Sequence, residues 1–195
     1  MFQPSIEKNE INILPVAHFN GEVILVNSHD LLDAAIEELK KNTVLGFDTE
    51  TRPSFKKGIK NKVALLQFAT TENAWLFRLN KIGLPTKLLE VFEDPGIIKV
   101  GVAIRDDLIK LSELRKFRPT GFVELADYVK KFDIQDNGLR KLAANILRIK
   151  ISKSQQLSNW EAKAYSPSQI RYATTDAWAC FEIYHQLINH GTDKY

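Results

Sequence analysis

The stretch Val44-Leu45-Gly46-Phe47-Asp48-Thr49-Glu50 constrains this chain more than any other. Its opening is apolar, so it reads as a strand running through an interior. Two acids follow, two apart, and residues i and i+2 of a strand share a face. Asp48 and Glu50 therefore stand side by side at the mouth of a central strand. Acids at a strand end can also cap a turn, which is the plain alternative. Beside an apolar interior, however, paired carboxylates repel each other unless a cation sits between them. Hard divalent cations take oxygen ligands, and Mg²⁺ uses a few carboxylates with water and phosphate.

Such a site needs further acids on inward-facing positions. In Gly101–Leu114, Ile104, Leu108 and Leu111 form an apolar stripe at helical spacing. Asp107 falls on that stripe and Asp106 beside it, towards Lys110 and Glu113. A carboxylate on the core side of a helix is costly unless paired or metal-bound, so Asp107 is the candidate. Near the end of the chain Tyr172 and Asp176 stand at i and i+4, on one face of a helix. Ala173, Ala177 and Ala179 around them are small enough to let that helix lie close against a sheet. The plain alternatives are two surface acids after Arg105 and a surface Tyr–Asp pair.

The remaining pattern alternates. Glu22–Val26, Thr43–Glu50, Lys62–Thr70, Asn73–Leu79 and Ile97–Gly101 read as strands, the third and fourth joined as a hairpin at Thr71 and Glu72. Helices are expected over Leu31–Lys41, capped by Ser28 or Asp30, and over Pro85–Phe92. Ser166-Pro167-Ser168-Gln169 is a capping box opening a helix from Pro167 to about Asn189, with Gly191 past its end. The first twenty residues read as an irregular arm, and residues 21–195 as a single domain. Strands followed by helices, with a βαβ-like crossover, give an α/β fold: a mixed sheet covered by helices.

Composition narrows the class. Hydrophobic residues make up 44% of the 195, enough for a core and too many for disorder. No apolar run nears the roughly 18 residues of a membrane span, and the first residues lack the basic end and apolar block of a signal peptide. The expected protein is soluble and cytoplasmic, with no membrane association. One cysteine, Cys180, allows no internal disulfide and no cysteine-based zinc site and reads as a core residue. His18, His29, His185 and His190 show no metal-binding spacing. A GxxxxGK[ST] loop is absent, which disfavours a nucleotide-binding kinase. The net charge of +3 permits a polyanionic partner without requiring one.

The order of these motifs carries a resemblance. GFDTET, then KVGVAIRDDLIKL with Asp107 at its acidic position, then YATTD with Tyr172 and Asp176, resembles the DEDD superfamily of 3′–5′ exonucleases in its tyrosine branch, of the ribonuclease D and Werner syndrome exonuclease-domain type. KVALLQFATTENAWLF resembles the hairpin that follows the first motif. The likeness covers roughly Val23 to Leu187, and no acid of the set is missing. It implies a ribonuclease H-like fold with a central mixed sheet of five to six strands. It implies two Mg²⁺ or Mn²⁺ ions held by Asp48, Glu50, Asp107 and Asp176, with Tyr172 orienting the attacking water. The implied reaction is hydrolysis of terminal phosphodiester bonds of DNA or RNA, single-stranded or 3′-recessed, to nucleoside 5′-monophosphates. The extra helical domains of ribonuclease D are not expected here, which leaves processivity and substrate choice open.

The same resemblance puts the backbone at Thr49 and the Glu50 carboxylate near the terminal 3′-OH. Apolar candidates to wedge against the last bases are Phe55, Leu66 and Trp160, the last of which reads equally as a core tryptophan. Lys56, Lys57, Lys60 and Lys62 follow the first motif and could meet phosphates, as could Arg140, Lys141, Arg148, Lys150 and Lys153; solvated charge is the alternative for both groups. Two rival functions stand beside the exonuclease: a non-catalytic nucleic-acid-binding module on the same fold, and a nuclease that cuts internally. The sequence names no protein partner.

Overall fold

The computed structural model describes residues 2–54, 58 and 61–192. In chain order the elements are α1 (Lys8–Ile13), β1 (Glu22–Val26), α2 (Leu32–Leu39), β2 (Val44–Thr51), β3 (Val63–Ala69), β4 (Asn73–Phe77), α3 (Leu79–Ile82), α4 (Thr86–Glu93), β5 (Ile98–Gly101), α5 (Ile104–Leu114), β6 (Phe122–Glu124), α6 (Leu125–Tyr128), α7 (Leu139–Leu142) and α8 (Pro167–Thr192). The strands form one mixed sheet in the order β1-β4-β3-β2-β5-β6. β3 runs antiparallel to both β2 and β4, while β1 on β4, β5 on β2 and β6 on β5 are parallel. The acid-bearing strand is thus interior, hydrogen-bonded on both sides, as its apolar start required.

The two faces of β2 have different neighbours. Leu45 and Phe47 are fully buried in the larger core, together with Ile36 and Leu39 of α2 and Leu88 and Phe92 of α4. Gly46, on the opposite face, lies under α8: a Cβ there would come 1.9 Å from the Ala177 carbonyl oxygen. Glycine is thus required for close approach rather than for backbone freedom. Ala173 and Ala177 are fully buried on the underside of α8, as their size suggested. Cys180 is buried in the same helix.

Several expectations are corrected in detail. The first twenty residues are not simply irregular, because they contain α1 and are tied to the body of the protein. Asp136 accepts from Ser5 Oγ (2.9 Å) and Ile6 N (2.9 Å), and Asn145 exchanges two hydrogen bonds with the Gln3 backbone. β4 stops at Phe77, and Leu79 opens the short α3 instead of closing a strand. β6 was not anticipated: three residues are too few to display alternation. A 3₁₀ turn over His29–Leu31 precedes α2, and the Ser28 side chain forms no cap bond. The capping box is present as read, with Ser166 N donating to Gln169 Oε1 (3.0 Å) and Gln169 N to Ser166 Oγ (3.2 Å). That helix continues through Gly191 to Thr192. Among the described residues no helix is long and apolar enough to cross a membrane.

Candidate active site

Asp48 and Glu50 end the regularly paired part of β2, where the register with β3 shifts between Glu50 and Thr51. Both lie on the α8 face. Because Gly46 and the alanines let α8 settle onto β2, Asp176 arrives beside them. Asp48, Glu50 and Asp176 each offer a carboxylate oxygen, and these all lie within 4.8 Å of one another. Among the described residues none of the three enters a salt bridge. Asp48 and Glu50 are half-buried and Asp176 is buried.

Asp107 reaches the site from the other face of the sheet. It is half-buried while Asp106 is exposed, as the helical stripe implied. It stands outside the close trio and is joined to β2 through Thr49, whose Oγ1 donates to Asp107 Oδ1 at 2.7 Å. Thr49 N also donates to Asp48 Oδ1 at 2.9 Å. One buried threonine therefore fixes two acids, one through its backbone and one through its hydroxyl.

The electrostatics follow from burial that Arg140 and Lys110 offset only in part. Burial, then repulsion from Asp176, Glu50 and Asp107, holds the Asp48 carboxyl well above the usual carboxylate range. Burial and the charges of Asp176 and Asp107 push Glu50 up to about 9. Burial raises Asp176 to about 7, opposed by the Tyr172 hydroxyl and Arg140. Burial raises Asp107 to about 6, opposed by the Thr49 hydrogen bond and Lys110. Tyr172 is raised above the ordinary phenol range by burial and by the charges of Asp176 and Glu50. It is therefore a neutral hydroxyl at any working pH. Asp48, Glu50, Asp176 and Tyr172 line a cleft of about 260 Å³, together with Thr49, Val102, Leu139, Gln156 and Cys180.

Two of the candidate base-wedging residues do not line this cleft. Leu66 is fully buried in the core between the sheet and α2 and α4, so it has no surface to offer a nucleotide. Trp160 is likewise fully buried, which makes it the core tryptophan of the alternative reading. Its ring lies 6.1 Å from that of Tyr172 and 5.6 Å from that of Tyr165, so it backs the catalytic candidate instead of the substrate. Lys62 is exposed just before β3. Phe55, Lys56, Lys57 and Lys60 lie outside the described residues.

Sequence reasoning missed two supports. Glu124, at the end of β6, accepts from Ala103 N (3.1 Å) and Ile104 N (2.9 Å) at the start of α5, and from Ala126 N (3.1 Å) at the start of α6. It thereby sets the helix that carries Asp107, across a turn where Ala103 adopts φ 60°. A glutamate directly before LADY was the available signal. Arg78 is the second: buried, it donates to the Lys163 carbonyl (2.9 Å) and the Ala162 carbonyl, and lies 4.2 Å over the Tyr165 ring. Tyr165 in turn donates to the Trp160 carbonyl at 2.6 Å, completing the buttress behind Tyr172.

The chain has relatives among known proteins. A family model described as 3′–5′ exonuclease matches residues 23–191. The mouse bifunctional 3′–5′ exonuclease/ATP-dependent helicase WRN is 32% identical over 193 residues, covering 91% of this chain and 13% of that protein. The crystal structure of the Aedes aegypti Nibbler EXO domain superposes with a TM-score of 0.78 at 26% identity, over 88% of this chain and 89% of that one. Escherichia coli RNase D superposes with a TM-score of 0.75 at 20% identity, over 87% of this chain and 45% of that one, a likeness of fold. The fold is ribonuclease H-like. The chain spans 13% of the length of the mouse relative and 46% of a mimiviral one.

Proposed function

The chain belongs to the 3′–5′ exonuclease family, and from that premise we propose that it hydrolyses terminal phosphodiester bonds at nucleic-acid 3′ ends, releasing nucleoside 5′-monophosphates. The substrate is single-stranded or 3′-recessed DNA or RNA, and the cofactor is a pair of divalent cations, Mg²⁺ or Mn²⁺. The observation that carries this reading is the trio of carboxylates within 4.8 Å of one another, none of them in a salt bridge among the described residues. Buried acids without countercharge are costly to a fold that does not use them. An all-oxygen donor set also fits hard divalent cations.

Asp48, Glu50 and Asp176 would hold one ion, and Asp48 with Asp107 the other. When bound, the ions supply an acidified water and neutralise charge developing on the phosphate. Thr49 fixes Asp48 and Asp107 through the two hydrogen bonds described above. Tyr172, a neutral hydroxyl, orients the attacking water and takes no proton from it. The Trp160 ring, itself backed by Tyr165, packs behind Tyr172 in that position.

The test uses a 5′-labelled single-stranded DNA and a matching RNA, each with Mg²⁺, Mn²⁺ or EDTA, beside the Asp48→Asn variant. The expected result is a ladder shortening from the 3′ end, dependent on metal and absent in the variant. Retained binding with no cleavage of either strand in any metal would replace the reading with a non-catalytic module. Cleavage of a circular single strand would replace it with a nuclease that cuts internally.

A further inference from the structure

Two clefts meet at Tyr172 and Asp176. The first is the acid-lined one. The second, about 580 Å³, runs outward between α1 and the segment from Gly138 to Gln156. Its charge is of the opposite sign: Lys8, Arg140, Lys141, Lys150 and Lys153 line it, and its one acid is Asp176, shared with the first cleft. Lys141 is occupied by Asp136 at 2.8 Å. The other four form no salt bridge among the described residues. The sequence placed Arg140, Lys141, Arg148, Lys150 and Lys153 in one scattered group; the fold draws all but Arg148 to this groove and adds Lys8 from the arm.

The arm is a built wall of this groove. Ile6 is fully buried, and Asp136 grips the backbone beside it. Lys150 is paired with the arm through its backbone, accepting from Ala17 N (3.0 Å) and donating to the Pro15 carbonyl (2.8 Å), and its Nζ donates to the Asn12 carbonyl (3.2 Å). Ile11 and Leu139 give the groove apolar surface between the cations.

We infer that this groove is the path of the single strand upstream of the 3′ end, with its phosphates against Lys8, Arg140, Lys150 and Lys153. The inference rests on the exonuclease reading of the adjoining acid cleft and names its substrate class. A positively charged groove that tracks the backbone is a recurring means by which proteins hold single strands without reading sequence. The groove shares Tyr172 and Asp176 with the acid cleft, so a strand lying in it delivers its 3′ end to the carboxylates. The 3′ tail is held there as a single strand over the nucleotides inside the groove.

The test is the double variant Lys8→Ala/Lys153→Ala. Both side chains are exposed, and neither forms a hydrogen bond or ion pair among the described residues, so the variant folds. Binding of a 5′-fluorescent twelve-nucleotide single strand is followed by anisotropy in EDTA across a salt series. Four phosphate contacts give the wild type a log–log salt slope of about −2.8, and two contacts give the variant about −1.4. In Mg²⁺ the preference for the twelve-nucleotide strand over a dinucleotide falls about tenfold in the variant. An unchanged slope and preference, with the wild type still cleaving both substrates, overturns the groove and leaves the exonuclease standing. A wild type that cleaves neither substrate overturns the exonuclease reading and the groove with it. A blunt duplex degraded as fast as a 3′-tailed one also overturns the single-strand path.

Discussion

Loading the Asp48–Glu50–Asp176 cluster with a divalent cation expels protons, so its affinity climbs with pH. Glu50 sits at about 9, Asp176 at about 7 and Asp48 well above the usual range, each raised first by burial. A cation takes the ionised forms. At pH 7 Glu50, at about 9, holds its proton and Asp176, at about 7, is half ionised, so these two release more than one proton on loading. One proton per event raises the affinity ~10-fold from pH 7 to pH 8, or ~1.4 kcal/mol, and the raised Asp48 carboxyl steepens this further. The same groups set the stability of the metal-free chain. In the unfolded chain these acids ionise near pH 4, whereas the folded chain keeps its protons up to about 9 at Glu50. The folded state thus binds more protons across that window, and stability falls as pH rises through it. Titration calorimetry with Mn²⁺ in buffers of differing ionisation enthalpy reads the proton number directly. Release near zero, or an affinity flat from about pH 6.5 to 8.5, refutes the assignment of these protons to the metal-binding acids.

The carboxylate trio also predicts that Asp48→Asn stabilises the metal-free chain at pH 8 while abolishing cleavage. Two unit charges at 4.8 Å, the outer limit of the trio's oxygen separations, repel by ~3.5 kcal/mol at an effective dielectric of ~20. Protonation relieves much of this, leaving a gain of about 1–3 kcal/mol and a Tm rise of ~2–10 °C by thermal melting in EDTA; a fall in Tm counts against the charge argument. Gly46→Ala acts in the opposite direction, because its Cβ would press on the Ala177 carbonyl at 1.9 Å. Lifting α8 costs about 1–3 kcal/mol or more and moves Asp176 from Asp48, so denaturant unfolding and Mg²⁺-dependent cleavage fall together.

What was legible in the sequence followed from periodicity. The apolar start of β2 marked an interior strand, the i, i+2 acids gave one face, and the Ile104–Leu111 stripe separated Asp107 from Asp106. The capping box at Ser166 is local chemistry and is present as read. Contacts made by residues distant in sequence were not legible. Leu66 looked available beside the acids, yet every residue of β3 is buried because α8 covers one face and α2 and α4 the other. Trp160 lies close to Tyr172 in the chain, but its role behind the tyrosine depends on Arg78 from the far end of the hairpin. The arm carried no periodic signal, and its order comes from Asp136, 130 residues from Ile6.

The site's geometry is a consequence of where β2 lies. Successive side chains of a strand point to opposite faces of its sheet, so Asp48 and Glu50 face one side and Thr49 the other. Interior β2 has α8 on one face and α5 beyond the other, so Asp176 approaches Asp48 and Glu50 directly while Asp107 approaches through Thr49. Each approach has its own structural requirement: glycine at position 46 and alanines along α8 for the first, and a hydroxyl at position 49 with Glu124 capping α5 for the second. The acids repel one another, so neither approach is driven by the site itself. Burial of apolar surface on both faces of the sheet holds them together. The bound protons keep that arrangement tolerable in the metal-free chain.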